Sequence, residues 1–423
     1  MKILIRQVNI MDAASPHHGK IKDVWIEEGV IKKISNSISN PEKTDKTFDG
    51  KGKCLSIGWF DLHVHFREPG FEYKEDLMSG CKAAAAGGFT GVLCMPSTFP
   101  AVQSKSEVEL ILTKTKNELT DVFPAGTLSL NRDGKDMSEM YDMSRAGAKA
   151  FTDDKNPVQD SSLMLRALLY SKNFNGLIMS FADDKNISAH GQMNESEMSA
   201  QLGLKTIPSL AEDIMVNRDL FLAEYAETKI HFSTISSATS VNLIREAKKK
   251  GLNVSCDVAA HQLLLDDTLL KDFDTNYKVK PPLRTKKDME ALKQALADGT
   301  IDAICSDHSP EDVENKRKEF DLAAFGVIGL ETAFAVANTA MRKNISMEKL
   351  VEKFTVNPRK ILSLPVITIK EGETANLTLF DPEIEWTCEE HHIKSKSKNT
   401  PFIGTKLKGK PVAVFNKGLW IEC

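Results

Sequence analysis

The chain has 423 residues, of which 41 % are hydrophobic and 27 % charged, with a formal net charge of -4. This is ordinary soluble globular composition with material for a large core, and its charge balance points to neither nucleic acid nor an anionic membrane as partner. No apolar run reaches the ~18 residues of a membrane span, and seven cysteines without a CxxC pair predict free thiols in a reducing compartment, by default the cytoplasm.

The N-terminus, Met1 to Pro16, lacks a long apolar stretch and reads as a strand rather than a signal peptide. Short apolar runs at Ile3-Leu4-Ile5 and Val24-Trp25-Ile26, the latter before a turn at Glu28-Gly29, predict β structure. Asn376–Phe380 and Val412–Phe415 read the same way near the other end. Residues 1–54 and 366–423 are therefore expected to pair into one small β domain.

Between them, eight apolar runs alternate with helical stretches: Cys54–Phe60, Gly91–Met95, Asp121–Gly126, Ala148–Thr152, Leu177–Phe181, Ile230–Ser233, Val254–Val258 and Ala303–Cys305. The Ala-rich stretch from Cys81 to Gly88 typifies the helices, ending on glycine. Eight strand–helix units predict an α/β fold, a (β/α)8 barrel over residues 55–365. An open doubly wound sheet is the alternative, but the Gly-rich phosphate loop that would mark it is missing. His392–Asn399, rich in lysine and serine, reads as a solvated loop.

A barrel carries its site at the C-terminal ends of its strands. Strand one ends in His63-Val-His65-Phe-Arg67-Glu-Pro-Gly70. Residues two apart on an extended segment point the same way, so both imidazoles can reach one metal ion. Strand four ends in Asp153-Asp154, which reads either as a carboxylate ligand or as a turn or helix cap. Strand eight ends in Ser306-Asp307-His308. Two histidines and two aspartates make a plausible coordination set. His231 is expected to pack within strand six.

These residues carry a resemblance. Asp61–Glu75, Ala85–Thr90, Cys94-Met-Pro96, Ala150–Asp154, Val279–Arg284, Asp298–Ala303, Asp307–Pro310, Phe325–Glu331 and Ala375–Pro382 follow in the order found in dihydroorotases of the bacterial class I type, within the amidohydrolase superfamily. The resemblance implies a distorted TIM barrel with a β domain built from both termini. It implies ring closure of N-carbamoyl-aspartate to dihydroorotate and its reversal, on a metal ion that polarises the carbonyl and acidifies water. By the same resemblance His63, His65, Asp154 and Asp307 would be metal ligands, and Asp307 would also shuttle the proton. Arg67, with Ser97, would hold the substrate carboxylate.

The chain also departs from that pattern. Phe181 and Thr234 stand where the family usually has histidines serving a second metal. Ser97 replaces an asparagine, Lys280 another, Gln262 a histidine, Glu311 a histidine and Lys155 a glycine. A lysine carbamate at Lys149 is disfavoured by Asp154 nearby. At most one zinc, or none, is expected, with dihydroorotase activity weak or lost. The alternatives are a non-catalytic homologue supporting aspartate carbamoyltransferase and a cyclic amidohydrolase for another substrate. A homodimer is expected on general grounds.

Overall fold

The computed structural model describes residues 1–39 and 44–423. Its strands are β1 Lys2–Ile10, β2 Ile21–Glu27, β3 Val30–Ser35, β4 Lys46–Asp49, β5 Cys54–Ile57, β6 Trp59–Val64, β7 Phe89–Cys94, β8 Asp121–Gly126, β9 Ala150–Phe151, β10 Ile178–Ser180, β11 Met193–Asn194, β12 Thr206–Ile207, β13 Ile230–Phe232, β14 Val254–Ala259, β15 Ala303–Cys305, β16 Leu377–Thr387, β17 Lys406–Asn416 and β18 Leu419–Glu422.

The two ends of the chain share one sheet, in the order β18-β17-β16-β5-β1-β2-β3 with β4 beside β1. Ile3 and Ile5 face Ile26 and Val24 across the β1–β2 pair. Leu55 of β5 lies opposite Leu379 of β16, which joins the N-terminal strands to the C-terminal ones. These side chains pack with Phe415 into one buried cluster. The predicted turn is present: Glu28 and Gly29 take φ of 51° and 77°, the left-handed pair that a two-residue hairpin requires.

The second large sheet is the barrel, β6-β7-β8-β9-β10-β13-β14-β15, parallel throughout. A bridge between Val64 and His308 closes it, reinforced by the His65 amide donating to the His308 carbonyl at 2.9 Å. The runs expected as strands lie on barrel strands, with one correction. The first run, Cys54–Phe60, divides: β5 belongs to the small sheet and β6 to the barrel, with Gly58 between them at a close approach of the two. A side chain at Gly58 would meet Thr90 and Asn376. The lysine–serine segment 392–399 is a second correction. Ile393, Ser395, Ser397 and Asn399 are buried and the intervening lysines exposed, so it is an extended strap with small polar groups turned inward.

Trp59 opens β6 and joins the lobes. Its fully buried ring lies 4.5 Å from Phe334, 5.4 Å from Phe380, 5.9 Å from Phe354 and 6.1 Å from Phe89, centroid to centroid. Its indole N–H donates to Ser56 Oγ at 3.0 Å. Trp59→Ala should therefore lower unfolding free energy by about 3–5 kcal/mol, read as a loss in thermal and denaturant midpoints. A change below about 1 kcal/mol would show that the cluster carries little of the stability.

Candidate metal centre and substrate pocket

Left-handed backbone recurs at the ends of the barrel strands, at Arg67 (φ 62°), Asp154 (54°), Thr234 (54°) and Asp307 (50°). Such conformations cost about 1–3 kcal/mol each and gather where geometry serves function. They turn the strand ends so that their side chains face inward.

His63 and His65 converge on one carboxylate. His63 Nε2 lies 3.0 Å from Asp154 Oδ1 and His65 Nε2 lies 2.7 Å from Asp154 Oδ2. All three side chains are buried and their donor atoms lie within 4.8 Å of one another. The other ring nitrogens are engaged: His63 Nδ1 with Ser233 Oγ at 2.8 Å, and His65 Nδ1 with the His308 carbonyl at 3.1 Å. A carbonyl only accepts, so His65 carries its hydrogen on Nδ1 and, when neutral, a lone pair on Nε2. Burial pushes the His65 pKa below its ordinary value, although Asp154 pulls the other way. A lone pair facing a carboxylate oxygen at 2.7 Å needs a proton or a metal ion shared between them. Burial works against the Asp154 anion, yet the two imidazoles hold its pKa well below the carboxylate range. The donor set fits one divalent ion.

Asp307 stands apart from this trio. Its Oδ1 is 3.6 Å from His63 Nε2 and 2.9 Å from the Lys155 ammonium. Of the four side chains expected as ligands, three converge and the fourth turns to a lysine. Asp153 points elsewhere: it accepts from the Leu128 and Ser129 amides at 2.9 Å each, so it serves the turn, while Asp154 faces the two imidazoles. His231 is buried and bonds Asp257 at 2.9 Å and Ser255 at 2.9 Å, a packing role.

A cavity of about 360 Å³ opens beside the trio. Ser97 lines it and donates to Asp154, while accepting from Arg132 Nη1 at 2.8 Å. Arg67 binds Ser309 Oγ and Glu311 at 2.9 Å each, and Lys74 binds the other oxygen of Glu311 at 2.6 Å. Glu311 is therefore compensated by two cations. Five cationic side chains (Arg67, Lys74, Arg132, Lys155, Lys280) line the cavity against three carboxylates (Asp154, Asp307, Glu311), so the pocket is electropositive before any metal binds. The sequence reading missed Arg132. Its only signal is the Leu130-Asn131-Arg132 turn after β8, whose φ values of 51° at Asn131 and 57° at Arg132 aim the guanidinium inward. The strap supports the floor: Asn399 donates to the carbonyls of Ser309 and Gly326, at 3.0 and 3.1 Å, and accepts from the Glu311 amide at 3.1 Å.

His261, at the end of β14, is buried, and burial pushes its pKa from 6.5 to about 4 against the pull of Asp307. The fold thus favours the neutral ring. The stability that follows, about 3 kcal/mol, is present above the unfolded value of 6.5 and is lost as pH falls towards about 4. His261→Gln should flatten that part of the stability–pH curve in thermal unfolding. An acid limb identical to the parent's would assign the loss to other groups.

A family described as Dihydro-orotase-like matches residues 52–240. The dihydroorotase of Syntrophus aciditrophicus (strain SB) is 42 % identical, over 99 % of this chain and 98 % of its own. The dihydroorotase of Acetivibrio thermocellus is 42 % identical over 96 % of both. Among solved structures, an L-hydantoinase from Arthrobacter aurescens superposes with TM-score 0.85 at 23 % identity, covering 99 % of this chain and 96 % of its own. A D-hydantoinase superposes at 0.82 with 24 % identity, over 100 % and 95 %. Those two show the barrel and the accompanying β domain as a shared fold.

Proposed function

The chain belongs to the dihydroorotase family, and on that premise we propose that it is a one-metal cyclic amidohydrolase interconverting dihydroorotate and N-carbamoyl-aspartate at a low rate. The observation that carries this reading is the convergence of both histidine Nε2 atoms on Asp154. His63, His65 and Asp154 would hold the ion, with zinc the expected metal for this donor set. When bound, it would polarise the ring carbonyl and make water acidic enough to attack at neutral pH.

The chain's own groups supply the rest. Arg67 and Arg132 present guanidinium groups to a carboxylate-bearing substrate, and Lys280 adds charge at the rim. Ser97 links Arg132 to Asp154, so a substrate bound by Arg132 is registered against the metal ligands. Asp307 accepts the proton of the attacking water at its carboxylate and returns it to the leaving ring nitrogen, with Lys155 holding it in place. Low turnover follows from the same contact, since the ammonium 2.9 Å away occupies the carboxylate oxygen that the attacking water must reach.

The Lys155–Asp307 pair also favours a second reading. A carboxylate fully committed to that ammonium would leave a non-catalytic homologue, acting as a structural partner of aspartate carbamoyltransferase. The unpaired thiols suit a reducing compartment such as the cytoplasm, and no helix among the described residues is long and apolar enough to cross a membrane. A homodimer is the expected assembly.

The test is a two-direction assay on zinc-loaded protein with elemental analysis of the same sample. Consumption of dihydroorotate, and its formation from N-carbamoyl-aspartate, with one zinc per chain supports the first reading. One zinc with turnover of a hydantoin alone would change the substrate. No turnover, together with co-migration with the transferase, would favour the second reading.

A further inference from the structure

The Lys155 ammonium sits in a nest of three walls. Asp307 Oδ1 lies 2.9 Å away, Thr234 Oγ1 3.4 Å away, and the centre of the Phe181 ring 4.8 Å away. A carboxylate, a hydroxyl and an aromatic face are good partners for an ammonium. Only the first of them is a good ligand for a divalent metal ion. The chain delivers the lysine because Asp154, its neighbour, takes left-handed backbone, which sends successive side chains to the trio and to the nest. Lys280 also lies near the Phe181 ring, at 5.9 Å, but is tied to Asp183 at 2.7 Å and does not compete.

We propose that Lys155 is a resident cation of this site: its ammonium holds Asp307 away from the metal trio and limits the centre to one divalent ion. This rests on the reading that His63, His65 and Asp154 bind metal. A second divalent ion on Asp307 Oδ1 would have to share that oxygen with a fixed positive charge, and Phe181 and Thr234 would give it no compensating ligand. Lys155 is thus a positioning residue, acting through Asp307 and through its charge.

Cobalt(II) titration, followed by its visible absorption and by elemental analysis, tests this. The parent should saturate at one ion per chain. A variant with F181H and T234H, which offers two imidazoles while keeping Lys155, should also stop at one. Adding K155G to that pair should raise the number to two. Independently, K155M, which keeps length and loses charge, should bind its cobalt about tenfold tighter than the parent, and K155R should not; this arm holds even where the triple variant does not fold. Two ions on the parent, two on the F181H/T234H variant, or equal affinity in K155M and parent would overturn the proposal while leaving metal binding intact. No ion on the parent would overturn the metal reading itself.

Discussion

Exchanging Asp154 for asparagine is expected to strip the metal ion and to lower kcat/KM by at least about 10³-fold. Among the described residues, Asp154 is the only side chain that both imidazoles address, and Ser97 donates to it as well. An amide keeps the shape but loses the charge, and its NH2 presents hydrogens where the histidines need an acceptor or a shared ion. Dialysed D154N should carry well under one zinc per chain. Asp153→Asn is the matched control. Asp153 accepts two backbone amides of the Leu128–Ser129 turn, so its loss should lower the melting temperature and leave the zinc content unchanged. If D154N retains a full equivalent of tightly held zinc, the ion does not rest on this trio.

Much of this architecture was legible from the sequence because strands and their ends are local signals. Eight apolar runs separated by helical stretches predicted the barrel, and alternation alone turned His63 and His65 to one side at the end of β6. The first run hid its division because Cys54–Ile57 and Trp59–Val64 are equally apolar, one within a sheet and one within a barrel wall. Periodicity reports burial and cannot say against what. The lysine–serine strap was misread because composition outweighed pattern. Its alternation, with Ser395, Ser397 and Asn399 inward, has the period of a strand, but serine and asparagine inside are recognisable only once their partners Glu75, Lys74, Ser309 and Gly326 are in place.

Electrostatics were the least legible. Glu311 shows in sequence only as a carboxylate in place of a histidine. In the fold Arg67 and Lys74 take up that charge, and the cavity keeps an excess of cations. The pairing spans more than 230 residues of sequence, beyond the reach of any local pattern. The same holds for Lys155. Its place beside Asp154 shows in the sequence, but its contact with Asp307 and the Phe181 ring depends on the left-handed turn at Asp154 and the closure of the barrel.

Asp307→Asn should leave the metal nearly undisturbed and lower kcat by about 10²–10⁴-fold, with a much smaller change in KM. Asp307 lies beside the trio but outside it, 3.6 Å from His63 Nε2 and 2.9 Å from Lys155. An asparagine can still accept from Lys155, so the nest persists, but it cannot take a proton from water. The zinc content of D307N, measured on the same sample as its rate, separates the two roles this residue could fill. Retention of one equivalent with kcat lost identifies a proton carrier. Loss of zinc in step with activity identifies a fourth ligand instead, and would mean that the ion draws Asp307 away from Lys155 when it binds. A rate within about threefold of the parent would exclude Asp307 from the chemistry altogether.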